Sequence, residues 1–202
     1  MESDAAIYLV LYRYTKALSV ALGYRDQVTR LHSERVLGLA EEIALGCGLP
    51  EQELGILRIG ASFHDVGKIG IPDNILLKPS PLDESDWKTM REHSAIGERI
   101  MKATELEGSD QAARVIRHHH EYYSGRGYPD GLAGEEIPIG SRIISIADSY
   151  DAMAVTRPYH RPRKHPEIMA ILREEAGYKH DPQLMRIFCE IIEQSQLKTA
   201  EI

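Results

Sequence analysis

Only two cysteines occur among the 202 residues, Cys47 and Cys189, and no CxxC pair is present. At most one disulfide is available and zinc-finger spacing is absent, so a reducing, cytoplasmic compartment is the default expectation. Long apolar runs are missing as well. The longest near the amino terminus, Ala5 to Tyr12, is too short for a bilayer and is followed at once by Arg13 and Lys16. Glu2 and Asp4 spoil the positive start that a signal peptide needs, so a soluble protein with no membrane partner is expected. Positive charge is in deficit: 24 Lys plus Arg stand against 31 Asp plus Glu, a net charge of −7 with His neutral. The electrostatic footprint of a DNA-binding protein is therefore lacking, and any anionic ligand must be met by local charge or by metal ions.

Alternating strand patterns are nearly absent, whereas helical periodicity fills most of the chain. An N-terminal helix can place Ile7, Leu11, Leu18 and Leu22 on or near one face, as a core or homodimer contact. Further helices are expected from about Val28 to Leu45, Glu51 to about His64, from the start signal formed by Asp83 with Asp86 toward Met101, Asp110 to about His120, Arg142 to Ala154, Pro166 to Ala176, and Pro182 to about Gln194. With 43% hydrophobic residues and no linker or repeat, the chain predicts one all-α domain: a helical bundle over 25–202 preceded by the helix of 1–24.

Between His120 and Ser141 lies a Gly- and Pro-rich stretch long enough to suggest function. Gly125, Gly127, Gly131 and Gly134 permit close backbone approach, and Pro129 biases Tyr128 toward an extended conformation.

Nine histidines are present, and His32, His64, His93 and the run His118-His119-His120 fall at or near successive helices, where a bundle can turn them toward one centre. Any one alone reads as a surface or core histidine. His64-Asp65 is the sharpest pair, because adjacent imidazole and carboxylate ligands at a helix end can serve two metal ions with the carboxylate bridging. Lys68 stands one helical turn beyond, either paired with Asp65 or placed to meet the developing charge of a phosphate.

The stretch His64-Asp65-Val66-Gly67-Lys68-Ile69-Gly70-Ile71-Pro72, then His119-His120-Glu121 with Gly125-Arg126-Gly127-Tyr128-Pro129, then Ala147-Asp148-Ser149-Tyr150-Asp151-Ala152, and finally Arg157-Pro158-Tyr159 resemble, in order, the motifs of the HD-GYP phosphodiesterases. That family is a branch of the HD-domain metal-dependent phosphohydrolases. The resemblance implies an HD-type helical fold and a metal-dependent phosphodiesterase that opens cyclic di-GMP to linear pGpG, and in some members on to GMP, with a hydroxide lying between the metals. It implies that His32, His64, Asp65 and Asp148 hold one metal and that Asp65, His93, His119 and His120 hold a second. His118 matches no ligand position, and Asp151 is left as a supporting or structural group. Asp65 and Lys68 become the catalytic residues, Lys68 and Arg157 the substrate contacts, and Gly127, Tyr128 and Pro129 a docking loop for a diguanylate cyclase domain. A nitrogen- and carboxylate-rich set without thiolate suits iron or manganese, with nickel or zinc as alternatives.

Three departures bear on that reading. Val28 stands where trinuclear members carry a Glu ligand, so two metals are expected and not three. Ser124 replaces the usual Asp before the first loop glycine, and His160 replaces a basic residue. Both leave open weaker binding or a preference for pGpG; a signalling or binding module with little catalysis, acting through the Gly127-Tyr128-Pro129 loop, is a separate alternative.

Overall fold

The computed structural model describes residues 4–25, 27–155 and 162–199. Its helices are α1 (Asp4–Arg25), α2 (Gln27–Gly46), α3 (Glu51–Phe63), α4 (Asp73–Leu76), α5 (Glu84–Lys102), α6 (Ser109–His118), α7 (Ile139–Ala154), α8 (His165–Glu175) and α9 (Pro182–Ile192). Short 3-10 turns cover Val66–Gly70 and Gly134–Glu136. Among the described residues there is no strand, only two isolated bridges, so the all-α expectation holds. No described helix is long and apolar enough to cross a membrane.

Local chemistry explains several boundaries. The Asp83 carboxylate accepts from the backbone N–H groups of Ser85 and Asp86, while Asp86 accepts from the N–H of Asp83, a reciprocal capping box that starts α5. Asp181 caps α9 from one side only, its carboxylate accepting from the backbone N–H groups of Gln183 and Leu184, with Pro182 in the first turn. The expected start of α7 at Arg142 falls three residues late, because Gly140 and Ser141 read as loop residues. In the fold they allow close packing: a Cβ on Gly140 would meet Val115 at 3.1 Å, and Ser141 Oγ donates to the Val115 carbonyl at 2.9 Å. α6 in turn stops at His118, so His119 and His120 lie just past its end.

Two apolar clusters build the core. One joins Val36, Leu39 and Ile43 of α2 with Leu57 of α3, Ile143, Ile144 and Ile146 of α7, Leu172 of α8 and Phe188 of α9. The other joins Leu11 of α1 with Ile59 and Phe63 of α3, Met101 of α5 and Ile116 of α6. Leu18 packs against this second cluster and Leu22 is also buried, whereas Leu9, Val10 and Val20 of α1 face outward. The Ile7 side chain lies outside the described residues. Helix α3 contributes to both clusters, and its carboxyl end delivers His64 and Asp65 to the space between α2, α5, α6 and α7.

Candidate metal centre

Five helices converge there. α2 supplies His32, the end of α3 and the turn after it supply His64, Asp65 and Lys68, α5 supplies His93, the end of α6 supplies His119 and His120, and α7 supplies Asp148 and Asp151. Their ligand atoms fall into two groups, each close enough to share an ion: His32, His64 and Asp148 in one, His93, His119 and His120 in the other. Asp65 stands between them. Its Oδ2 is 4.0 Å from His32 Nε2 and 3.5 Å from His64 Nε2, while its Oδ1 is 3.6 Å from His93 Nε2. One carboxylate oxygen thus faces each group.

Three histidines are oriented by one device. The Nδ1 of His64 lies 2.8 Å from the Ala61 carbonyl, that of His93 lies 2.7 Å from Met90, and that of His119 lies 2.6 Å from Ile116. A carbonyl only accepts, so each Nδ1 carries the hydrogen and each Nε2 lone pair is left for the cluster. His64 Nε2 is buried with no hydrogen-bond partner, an orphaned lone pair that a metal ion would take up. Burial holds His64, His93, His119 and His120 below the usual imidazole value of 6.5, with His119 lowered to about 3, so these rings are neutral and ready to ligate. Asp65 and Asp148 are ionised: burial opposes their charge, but the Lys68 ammonium beside Asp65, and protonated His32 beside Asp148 and near Asp65, hold both well below the usual carboxylate range. Imidazole nitrogens with two carboxylates and no thiolate fit borderline divalent ions.

His32 differs. Burial lowers its pKa, but hydrogen bonds to Asp148 and Asp151 and the charges of Asp148 and Asp65 outweigh this and raise it to about 9. Without metal the ring is protonated at neutral pH, and an ion must displace that proton. A raised folded-state pKa stabilises the metal-free protein fully below pH 6.5, and this contribution is lost as pH rises toward about 9. His119 acts in the opposite sense, since the unfolded chain takes up its proton near 6.5 and the fold refuses it until about 3. Chelated protein is therefore expected to melt at its highest temperature near pH 6.5 and lower on both sides. Melting curves across the window from about 3 to about 9 check this, and a profile rising steadily to the alkaline end contradicts it.

Asp151 supports the cluster from behind. Its Oδ2 lies 2.6 Å from His32 Nδ1, and Arg35 grips the same carboxylate through Nε at 2.5 Å and Nη2 at 3.0 Å. Sequence reasoning placed Asp151 as a supporting group but missed Arg35. The signal was present, because Arg35 follows His32 by three residues, as Asp151 follows Asp148, so the two pairs share faces of α2 and α7. Asp151→Asn is expected to weaken metal binding by about 10- to 100-fold with little change in fold. Metal titration of the chelated variant measures it.

Lys68 Nζ donates to Asp65 Oδ2 at 2.7 Å, and its side chain remains partly exposed at the rim. The loop after α6 is pinned back onto the cluster. Glu121, buried and likewise given no role from sequence, accepts from the backbone N–H groups of Asp130 and Gly131, and the Tyr128 N–H donates to the His120 carbonyl at 3.2 Å. Gly127 packs backbone to backbone, since a Cβ there would fall 2.2 Å from Tyr122 N. The Tyr128 ring stacks on His120, with centroids 4.9 Å apart, while Pro129, Asp130 and Gly131 are exposed. The Tyr128–Pro129 bond is cis. His118 turns away from the other rings to meet Asp130 at 2.9 Å, and Arg117 holds the same carboxylate by two nitrogens. Ser124 is exposed, its N–H donating to the Tyr178 carbonyl at 2.9 Å. Arg157, His160 and the side chain of Val28 lie outside the described residues.

A family model described as the HD domain matches residues 16–184. The chain belongs to the HD domain family. This HD domain is 36% identical over 181 residues to a cyclic di-GMP phosphodiesterase of Thermotoga maritima, covering 90% of the chain and 49% of that protein. It is 35% identical over 173 residues to 3'3'-cGAMP-specific phosphodiesterase 2 of Vibrio cholerae, covering 86% of the chain and 33% of that protein. The chain therefore spans half or less of the length of these curated relatives. A solved HDG"Y"P protein from Bdellovibrio bacteriovorus shares the fold, with a TM-score of 0.67 at 19% identity over 94% of the chain and 62% of that protein. The resemblance to the HD-GYP branch, read from four separated motifs, is borne out by these relatives. In this HD domain the His64-Asp65 pair lies at the junction of the two groups.

Proposed function

We propose that this HD domain is a two-metal phosphodiesterase that hydrolyses cyclic di-GMP to linear pGpG, with GMP formed where the second phosphodiester is cut as well. The observation that carries the reading is the division of six ligands into two groups with the Asp65 carboxylate facing both. His32, His64 and Asp148 would hold one ion, His93, His119 and His120 the other, and Asp65 would bridge; iron or manganese suits the set best, with nickel or zinc next. When bound, two such ions supply an activated water and Lewis-acid charge for in-line displacement at phosphorus. Lys68, held by Asp65 at the rim, stands to neutralise a non-bridging phosphate oxygen, and Arg157 would add a second cation. Water adds to phosphorus, the P–O3′ bond breaks, and the 3′-oxygen leaves with a proton, giving a 5′-phosphate. Residues 25–202 would form the phosphohydrolase unit, with 1–24 as a core or homodimer helix, acting in the cytoplasm. The exposed Pro129 side of the loop would meet a diguanylate cyclase domain.

Anaerobic purification with elemental analysis, followed by chromatography of the products from cyclic di-GMP and from pGpG, tests this. Two ions per chain with pGpG or GMP formed from the cyclic substrate is the expected result. Metal-loaded protein that binds the cyclic dinucleotide and leaves it intact would establish a signalling module instead, and cleavage of pGpG alone would reassign the substrate.

A further inference from the structure

Relatives at nearly equal identity differ in the base they act on, so overall similarity does not choose the nucleobase. The following inference rests on the phosphodiesterase reading and concerns that choice. Arg91 lies on α5, two residues before His93, and is exposed. Among the described residues its guanidinium meets no carboxylate; it lies over the Tyr128 ring, 5.2 Å from the centroid. Tyr128 is itself stacked on His120 with the planes inclined by 29°, and the His120 ring is 5.0 Å from that of His93. Arginine, tyrosine and histidine thus form a row that leads from the surface to the second group of side chains. The platform is rigid, because Glu121 pins the loop behind it and the Tyr128 N–H is tied to the His120 carbonyl.

A guanidinium seated over a ring face and paired with no carboxylate has N–H groups to offer a planar partner. Its fork of N–H groups matches the paired acceptors O6 and N7 of guanine, whereas adenine presents a donor beside N7. We propose that Arg91, seated on Tyr128, reads a guanine base of the dinucleotide whose phosphodiester lies at the histidine–aspartate cluster. It is a specificity-determining residue that meets the base, one nucleoside away from the reacting phosphate.

The test compares metal-loaded full chain with R91A and R91K on cyclic di-GMP, cyclic di-AMP and the base-free diester bis(p-nitrophenyl) phosphate, with calorimetric titration of cyclic di-GMP alongside. In R91A the ratio of kcat/KM for cyclic di-GMP to that for the base-free diester is expected to fall about 10- to 100-fold, and the preference for guanine over adenine to collapse. R91K should recover little, since an ammonium cannot form the fork. Equal losses on all three diesters, or none on cyclic di-GMP, overturn the assignment. Wild-type protein inert on every diester defeats the phosphodiesterase reading instead. In that event affinity decides: cyclic di-GMP binding at least tenfold weaker in R91A upholds the role of Arg91, and equal affinity or no binding by the wild type overturns it.

Discussion

Asp65→Ala is expected to purify with at most one ion per chain and to lose at least about 10³-fold in turnover of cyclic di-GMP, the equivalent of several kcal/mol of transition-state stabilisation. The carboxylate is the only described group with an oxygen turned to each ligand cluster, 3.5 Å from His64 Nε2 on one side and 3.6 Å from His93 Nε2 on the other. Its removal also takes away Asp65 Oδ2, the oxygen to which the Lys68 ammonium donates. Lys68→Ala separates the two roles, since it should retain metal and still lose turnover. Elemental analysis and product chromatography of both variants, with circular dichroism to show that they fold, measure the outcome. An Asp65→Ala protein that keeps two ions and normal activity would refute the bridging role.

Gly67→Ala carries the second large expectation, a loss of at least about 3 kcal/mol of stability together with a lower metal content. A Cβ at this position would sit 1.8 Å from the His93 carbonyl oxygen and 2.5 Å from Gly97 N. Both neighbours are backbone, so no side-chain rotation relieves the overlap, and the turn Val66–Gly70 would have to leave α5. That movement would pull Asp65 and Lys68 away from His93. Gly48→Ala is the contrast: Gly48 has φ of +67° but nothing within 4 Å of its would-be Cβ, so only the backbone preference is lost, at about 1 kcal/mol. Urea unfolding midpoints at unchanged slope, with elemental analysis, check the pair. A Gly67→Ala cost no greater than that of Gly48→Ala would show that the turn and α5 are not held in this contact.

Elements governed by neighbours three or four residues apart were legible in the chain itself. The capping box at Asp83 and Asp86, the apolar spacing of the helices and the Pro182 start of α9 are local chemistry, and the structure follows them. Residue types suited to a metal site were legible too, because His64-Asp65 and His119-His120 are adjacent in sequence and lie at helix ends. Where Gly140 and Ser141 were read as loop, the sequence signal was ambiguous: a small residue serves a turn and a tight helix crossing equally well, and only the presence of Val115 opposite decides between them.

Tertiary structure alone decided how the distant pieces meet. His32 and Asp151, 119 residues apart, come within hydrogen-bond distance only because α2 packs against α7, and Arg35 completes the pairing. The same packing sets the protonation of His32 against its neutral neighbours, since burial and carboxylate proximity are properties of the assembled site. Tyr128, readable from sequence as part of a loop for partners, has its ring turned onto His120 because Glu121 and the Gly127 backbone draw the loop inward. The sequence by itself determined an all-α HD domain and the residue types of its histidine–aspartate cluster. The division of those side chains into two groups around one carboxylate was decided by helix packing, because local periodicity orients side chains around a helix without setting which helix stands opposite.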